Sequence, residues 1–217
     1  FHEEKNYDVT ELKNRISAFC VPKNPVLGGT IELKRDEILK SSKMRFYEFS
    51  QNRYSIRNFT SKPVNTCLLK EAIRIAQKTP SACNRQSSRV YIIQNEKLKN
   101  TVLEYQTGNR GFGNLVNKIL IITSDLRSFF GIHERNQPFI DAGMFGMSLL
   151  YGLHYVGLGA CALNWSVKCD IDRKLRKTLE IRDSEVVVFM IAVGNIPEKV
   201  KVAKSSRKKL DEIVFFR

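Results

Sequence analysis

The sequence lacks the residue spacings of metal sites and disulfide frameworks. Its three histidines, His2, His133 and His154, lie too far apart for a local metal motif. The cysteines are odd in number and none forms a CxxC pair, which fits neither a disulfide framework nor a zinc site. They are Cys20, Cys67, Cys83, Cys161 and Cys169. We therefore expect no metal ion and a reducing, cytoplasmic setting.

A secretory leader, internal repeats and low-complexity segments are also missing from the sequence. Charged residues follow Phe1 and His2 directly, without the apolar stretch of a signal peptide. A length of 217 residues predicts one domain, or one domain with an extension, and excludes a tandem array. A hydrophobic content of 42% against 27% charged residues excludes intrinsic disorder.

Acidic residues are few relative to basic ones, and the formal net charge is +14. Such an excess favours anionic partners, whether phosphates, nucleic acid or an acidic membrane face, without choosing among them. No helix-turn-helix pattern, zinc finger or RNA-binding aromatic motif accompanies the charge. We expect no nucleic-acid partner, although a basic nucleic-acid-binding protein remains an alternative interpretation.

One apolar run, from Ala142 to Leu163, is long enough for a transmembrane helix and contains no Asp, Glu, Lys or Arg and a single histidine, His154. Five glycines within the run weaken that interpretation. Gly157-Leu158-Gly159 in particular indicates a helix end followed by a buried strand. We therefore expect a central packed helix and no membrane span.

Hydrophobic periodicity predicts alternating helices and strands after an N-terminal extension, with residues 1–50 as the extension and 51–217 as the domain. A capping Asn65 or Thr66 and a terminating Pro80 bound the first helix of the domain. The most strand-like run, Glu185 to Val193, should be central. Helices are predicted over residues 65–78, 96–105, 139–155 and from about 170, and strands over 90–93, 118–123, 159–164 and 185–193. Residues 36–49 carry a weak helical pattern, and residues 210–216 fit a short helix or a strand.

Two glycine-rich segments resemble nucleotide-binding loops, but neither has the sequence context that such a loop requires. Residues 157–162 fit GxGxxA, but that loop must leave a strand and open a helix, whereas here it leaves a helix and enters a strand. Residues 108–114 lack the Gly-Lys-Ser/Thr of a P-loop. We interpret residues 108–114 as a flexible turn that can line a site.

The segment Arg53-Tyr54-Ser55-Ile56-Arg57 places two guanidiniums and a hydroxyl within five residues. In an extended segment Arg53, Ser55 and Arg57 point the same way, so the three can grip one phosphate through charge-assisted hydrogen bonds. Taken alone, the segment fits a solvated basic strand equally well.

Residues 80–86, Pro-Ser-Ala-Cys-Asn-Arg-Gln, combine small side chains with two amides. The small residues let a flat ring approach closely, and Asn84 and Gln86 can bond to its polar edges. On its own this segment fits an ordinary polar loop. Cys83 within it is interpreted as a packing residue, although its redox role stays open.

Together, in order, RYSIRNF, PSACNRQ and DAGMFGMSLLYGLHYVGLGACAL resemble the nitroreductase family of FMN-dependent NAD(P)H oxidoreductases, over about residues 50–217. The resemblance implies an α+β fold with a mixed, mainly antiparallel sheet flanked by helices, in a homodimer with FMN at the interface. It implies hydride transfer from NAD(P)H through flavin to a small electron acceptor, nitroaromatic or quinone-like, by ping-pong kinetics. A specialised flavin oxidation or sensing role is the alternative, because Ser87-Ser88 and Asn164-Trp165 depart from the family pattern.

The resemblance also assigns cofactor contacts and requires no catalytic acid or base from the chain. The phosphate and ribityl contacts are Arg53, Tyr54, Ser55 and Arg57, closed by a C-terminal Arg207 with Lys204 or Lys208 nearby. The contacts reaching the flavin from the partner subunit are Pro80, Ser81, Ala82, Asn84 and Gln86. The pyrimidine edge is assigned to Asn114, with Asn109 as the alternative. The strand passing the ring supplies Ala162, Leu163, Asn164 and Trp165.

The helix of residues 139–155 bears on the homodimer as well. It is apolar around most of its circumference and must be covered on several sides. Central burial and contact with a twofold partner explain this equally well from the sequence alone. The family resemblance favours the partner.

Overall fold

A four-stranded antiparallel sheet organises the fold in the computed structural model, which describes residues 10–17, 45–203 and 205–217. The strands are β1 (Ser88–Ile93), β2 (Lys118–Asp125), β3 (Leu158–Asn164) and β4 (Glu185–Asn195). Their spatial order is β1-β2-β4-β3, and every described strand pair is antiparallel. The α+β expectation is confirmed, and the strand predicted to be central is β4, paired on both sides.

Six α-helices complete the described structure. They are α1 (Thr10–Ser17), α2 (Phe46–Gln51), α3 (Thr66–Ala76), α4 (Glu96–Tyr105), α5 (Gln137–Tyr155) and α6 (Cys169–Thr178). Residues 47–217 form one compact unit, and α1 belongs to a separate one. The proposed domain boundary at residue 50 falls close to this division and stays a prediction. Residues 36–44 of the weak helical pattern lie outside the described residues.

Helix α3 shows how local sequence sets an element's start. Asn65 precedes it with extended backbone, and its side-chain oxygen accepts a hydrogen bond from the Cys67 amide at 2.9 Å. This satisfies one of the unpaired N–H groups of the first turn, as an N-cap should. Of the two caps that the sequence allowed, Asn65 and Thr66, Asn65 is the one observed.

Two hydrophobic clusters lie on opposite faces of the sheet. On one face α3 and α5 pack through Leu69, Leu149 and Leu153 against strand residues such as Leu120 and Ile191. The other face is covered by α4 and α6, whose Val102 and Leu175 belong to the second cluster. Face-to-face burial of both sheet surfaces leaves the sheet edges as the places where loops can build a site.

Glycines let α5 approach its neighbours closely. A Cβ on Gly152 would lie 2.5 Å from the backbone oxygen of Ala72, which belongs to α3. A Cβ on Gly146 would lie 2.0 Å from the Phe189 ring on β4. Glycine lowers helix propensity at these positions, but it allows close packing against a helix and a strand.

The apolar run from Ala142 to Leu163 is not one helix. It comprises most of α5, a turn at Gly157 with φ +76°, and β3. Within the described ranges, no helix has both the length and the hydropathy needed to cross a bilayer. The order of helix, turn and strand also confirms that residues 157–162 lack the context of a dinucleotide-binding loop.

The C-terminal stretch forms less regular structure than its apolar pattern suggested. A single 3₁₀ turn, Leu210–Glu212, is the element observed there, and Phe215 and Phe216 are exposed. Neither a longer helix nor a strand forms over residues 210–216 because these side chains find no packing surface within the described chain.

Candidate anion-binding cleft

A cleft of about 520 Å³ collects the arginines singled out in the sequence. Arg53, Ser55 and Arg57 line it together with Arg207 from the C-terminal segment. No carboxylate is found among the described residues that line it. Three guanidiniums and a hydroxyl without a nearby acidic partner form a surface suited to an anion with several oxygens.

The basic segment, residues 53–57, is held beside the outer edge of β3. The Ile56 amide donates to the Ala160 carbonyl of β3 at 2.9 Å. Just after the segment, the Thr60 amide donates to the carbonyl of Asn195, the last residue of β4, at 3.0 Å. Ile56 and Phe59 are buried in the core. With Ile56 turned inward, extended backbone turns Ser55 and Arg57 outward to the cleft.

Helix α5 supplies the opposite wall. Met147 and Tyr151 line the cleft from this helix, and the Tyr151 ring packs against Phe49 in a tilted arrangement with centroids 5.8 Å apart. These two side chains were missed at the level of the sequence: they lie in the apolar stretch that carries the family resemblance, but the resemblance assigned no cofactor contact to this helix. Their spacing of one helical turn is the only signal that they share a face.

Cys161 on β3 lies beneath the basic segment. Burial raises the pKa of its thiol, while the neighbouring Arg57 and Ser55 act in the opposite direction. The thiol is almost fully buried and donates to the Ala162 carbonyl at 3.6 Å. A protonated thiol leaves the positive charge of the cleft uncompensated.

Arg207 reaches the cleft from an exposed segment. Its guanidinium donates to the Ser205 carbonyl at 2.8 Å, and Ser205 and Ala203 line the cleft beside it. Lys208 is exposed and is not among the described lining residues. Lys204 lies outside the described residues.

The loop of residues 80–86 has a backbone that most side chains avoid. Cys83, Asn84 and Gln86 have φ values of 51°, 54° and 50°. Left-handed non-glycine residues cost of order 1–3 kcal/mol each and persist where the surroundings over-determine them, often at functional sites. Asn84 and Gln86 remain exposed, and the Gln86 side-chain amide donates to the Asn84 carbonyl at 3.3 Å.

Two hydrogen bonds hold this loop, one to Asp141 of α5 and one within the loop itself. The Ala82 amide donates to Asp141 Oδ2 at 3.1 Å, and the Gln86 amide donates to Ser81 Oγ at 3.0 Å. Asp141 is buried at the start of α5 and also accepts from the side chain of Gln137 at 2.8 Å. Its sequence signal was its position as the acidic residue that opens the apolar run.

Arg85 anchors the same loop to the segment that precedes α5. Its guanidinium pairs with Glu134 and lies over the rings of Phe129 and Phe130, at 5.4 and 5.2 Å from their centroids. The Phe130 amide and Arg85 together lower the pKa of Glu134. Arg85 stood inside the motif that the sequence singled out, but its role as an anchor could not be predicted because Glu134 is far along the chain.

The predicted cofactor contacts fall into separate parts of the structure. Arg53, Tyr54, Ser55, Arg57 and Arg207 share the cleft. Pro80, Ser81 and Gln86 line a smaller cavity of about 190 Å³ with Asp141. Ala82 and Asn84 belong to the same loop, in the 3₁₀ turn Ala82–Asn84.

The glycine-rich loop distinguishes the two candidate asparagines. Asn109 is occupied: its side-chain nitrogen donates to the Leu103 carbonyl at 2.8 Å and to Gln106. Asn114 is exposed, and no hydrogen bond of its side chain is found within the part of the chain that the structure describes. Asn114 is therefore the one with an amide free for a ligand.

The end of β3 presents a mixed surface. Ala162 and Asn164 are exposed on one face, whereas Leu163 between them is buried in the core. Trp165 packs partly against the core and donates its indole N–H to Asp172 at 2.7 Å. These residues do not line the cleft of Arg53, and a flat ligand reaching them would have to extend along β3.

The Nitroreductase family model matches residues 51–110, which include both the basic segment and the strained loop. This part of the chain is therefore similar in sequence to the nitroreductase family. No curated protein sequence matches the chain.

Solved nitroreductases extend the similarity to the fold. An NADH dehydrogenase/NAD(P)H nitroreductase from Parabacteroides distasonis is 21% identical, with a TM-score of 0.69 over 80% of this chain and 98% of that one. A nitroreductase from Desulfovibrio desulfuricans in complex with FMN is 20% identical, with a TM-score of 0.67 over 81% and 98%. An FMN-dependent nitroreductase from Clostridium difficile is 18% identical, with a TM-score of 0.65 over 78% and 98%. Residues outside the matched segment therefore share the nitroreductase fold.

Proposed function

We propose that the protein is an FMN-dependent oxidoreductase of the nitroreductase type that takes reducing equivalents from NAD(P)H to a small electron acceptor. The observation that carries the proposal is the cleft in which Arg53, Ser55, Arg57 and Arg207 meet, with no carboxylate among its described lining residues. The sequence similarity to the nitroreductase family supports it, as do structural neighbours that are FMN-dependent or bound to FMN.

The residues of the cleft fit the phosphate end of FMN. A phosphomonoester carries up to two negative charges and several acceptor oxygens, which planar guanidinium forks match in both charge and geometry. Ser55 adds a neutral hydrogen bond and Tyr54 borders the cleft. When bound, FMN supplies the two-electron chemistry of hydride acceptance, and the chain supplies binding, orientation and the electrostatic field.

The remaining contacts require residues from outside the cleft. We assign Asn114 to the pyrimidine edge because its amide is exposed. The ring-side surface is Ala162, Asn164 and Trp165, to which the buried Leu163 contributes its backbone. The loop residues Pro80, Ser81, Ala82, Asn84 and Gln86 are assigned to the flavin of a partner subunit.

A homodimer follows from the last assignment and from the surface of α5. Phe139, Ile140, Met144 and Met147 are all exposed on this helix, between 37% and 51%. Their positions repeat at helical spacing and form one apolar stripe, which a second copy of the helix can cover. The stripe continues to Met147, which lines the cleft.

Kinetics and acceptor follow from a single shared cavity. The donor must leave before an acceptor can enter, which gives ping-pong kinetics with nitroaromatic or quinone-like acceptors.

Of the departures from the family pattern, Ser87 is fully buried and forms a hydrogen bond with Ser124 across the sheet at 2.9 Å. It therefore affects packing, and Asn164-Trp165 is the departure that faces the proposed ring. We place the activity in the cytoplasm on the strength of the unpaired cysteines.

An absorption spectrum of the purified protein tests the proposal. We expect flavin absorbance, or its appearance after incubation with FMN, and anaerobic bleaching by NADH or NADPH. Re-oxidation by a quinone or a nitroaromatic compound would then identify the acceptor class, while bleaching without turnover would favour a sensing role. A colourless protein that does not bind added FMN would contradict the proposal.

A further inference from the structure

A second cavity, of about 330 Å³, adjoins the cleft at Arg53 and Tyr54 and is not used by the proposed function. We call it the apolar pocket. Its walls include Leu150, Leu158, Val200 and Val202, and His154 lies beside Arg53 at its polar end. The C-terminal segment that carries Val200 and Val202 continues to Arg207, so the two cavities share parts of their walls.

The polar end of the apolar pocket carries positive charge without a described counter-ion. No carboxylate is found among its described lining residues. Burial, followed by the charge of Arg53, lowers the pKa of His154, whose ring also contacts Phe49 in a tilted arrangement with centroids 4.7 Å apart. At neutral pH His154 is therefore uncharged, and Arg53 is the cation that faces this end.

Size and lining restrict what the apolar pocket can take. Binding sites for small molecules begin at about 300 Å³ and are mostly apolar with a few convergent polar groups. A cavity of about 150 Å³ already accepts benzene. The apolar pocket thus has room for one ring and a short polar group.

We propose that the apolar pocket binds a small amphipathic monoanion of the arene carboxylate class. The ring lies among the aliphatic side chains and the carboxylate lies at Arg53. This site goes beyond the proposed function and does not depend on flavin. Because Arg53 lines both cavities, a phosphate in the cleft and a carboxylate in the pocket draw on the same guanidinium, and each weakens the other reciprocally.

Titration of the full-length, flavin-free chain with benzoate and with benzyl alcohol tests the proposal. The two probes have similar size and shape but differ in charge. We expect benzoate to bind about tenfold more tightly, the effect of one charge-assisted hydrogen bond. Ligand-detected NMR or calorimetry at pH 7 gives both dissociation constants. Equal binding of the two probes, or no binding of either, would overturn the proposal.

Two variants locate the site. Val202→Glu adds a carboxylate to the wall and should weaken benzoate about tenfold while changing benzyl alcohol little. Val214→Glu is the matched control, since Val202 and Val214 are both 37% exposed and Val214 does not line the pocket. Leu150→Trp fills the pocket and should abolish binding of both probes, while Leu126→Trp, at an exposed leucine elsewhere, should not.

Circular dichroism confirms that each variant is folded before its titration is interpreted. Benzoate binding that is unaffected by both Val202→Glu and Leu150→Trp would place the probe elsewhere and overturn the assignment.

Parallel titrations with FMN separate this proposal from the function. Benzoate binding without FMN binding supports the apolar pocket and contradicts the flavin function. FMN binding without benzoate binding does the reverse. When both bind, saturating FMN should weaken benzoate several-fold, and independence of the two would overturn the shared role of Arg53.

Discussion

At the scale of the residue, the cleft depends on guanidinium forks more than on charge alone. Arg57 faces the cleft and lies next to the buried Cys161 thiol, so its side chain is partly positioned by β3. A lysine at this position would keep the charge but lose the planar fork that matches a phosphate. The distinction can be measured.

Arg57→Ala should weaken FMN binding about ten- to a hundredfold, because a hydrogen bond to a charged group contributes roughly 1.5–3 kcal/mol. Arg57→Lys should give an intermediate loss. Quenching of FMN fluorescence during titration measures both. Arg173→Ala, at an exposed arginine of α6, serves as the control, and an unchanged affinity in Arg57→Ala would contradict the assignment.

His154 makes the stability of the fold depend on pH. Its pKa in the folded protein is lowered, so between that value and the ordinary 6.5 the unfolded chain binds more protons than the folded one. The free energy of unfolding should therefore fall as the pH drops below about 6.5 and the unfolded histidine becomes protonated. His154→Gln should reduce that dependence.

Urea unfolding at pH 7.5 and at pH 5.5 provides the measurement. The comparison is the change in unfolding free energy between the two pH values, in the original chain and in each variant. His133→Gln is the control, because His133 is exposed. If the pH dependence of the unfolding free energy persists in His154→Gln but disappears in His133→Gln, the prediction is wrong and His133 is the histidine responsible.

At the scale of the element, the loop between α3 and β1 is held by contacts that lie far apart in sequence. Asp141 binds its Ala82 amide from α5, and Glu134 binds Arg85 from the segment before α5. These contacts offset the cost of three left-handed residues. The loop is therefore preorganised by the region around residues 129–141.

Arg85→Ala should loosen this loop without unfolding the protein. We expect several-fold faster amide hydrogen exchange over residues 81–87 and weaker FMN binding, since the loop loses its ion pair and its ring contacts. Exchange measured by mass spectrometry tests this expectation, with Arg74→Ala on the exposed face of α3 as control. Unchanged exchange alongside weaker FMN binding would indicate direct contact with the cofactor in place of anchoring.

The sequence predicted elements well where periodicity and caps act locally. Helix α4 has the predicted bounds, Glu96–Tyr105, and α3 is capped by Asn65, one of the two caps that the sequence allowed. Periodicity identified β4 as central because a strand buried on both faces has an unbroken apolar run. It could not reveal that residues 210–216 would remain largely irregular, since that outcome depends on the absence of a packing surface.

The candidate site could be predicted only where its residues are close together in the sequence. Arg53, Ser55 and Arg57 are close in sequence, so alternation along an extended segment could bring them together. Tyr151 joins the cleft through tertiary packing, which no local pattern in the sequence indicates, and the only local signal for Asp141 was its position at the start of the apolar run. Arg207 was assigned by family resemblance, and its place in the cleft required the course of the whole C-terminal segment.

At the scale of the whole molecule, the apolar stripe of α5 predicts self-association. The original chain should sediment at twice its mass of 25.0 kDa. Ile140→Glu places a charge in the centre of the stripe and should give a monomer that binds FMN poorly, because the partner's loop is lost. Analytical ultracentrifugation with absorbance at flavin wavelengths follows both effects.

Ile16→Glu is the matched control for that change, since Ile16 is exposed on α1. It should leave mass and flavin content unaltered. A monomeric original chain that nevertheless binds FMN with full affinity would contradict both the interface and the assignment of the loop to a partner subunit.

The position of β4 also has a consequence for synthesis on the ribosome. The last strand to be made, Glu185–Asn195, is the one that joins β2 to β3. Until it emerges, the β1–β2 pair and β3 have no common neighbour, and the edges that will face β4 are open to other chains. Nascent chains stalled before residue 185 should therefore be targets for chaperones, and premature stop codons ahead of that strand should yield aggregates in place of a smaller folded product.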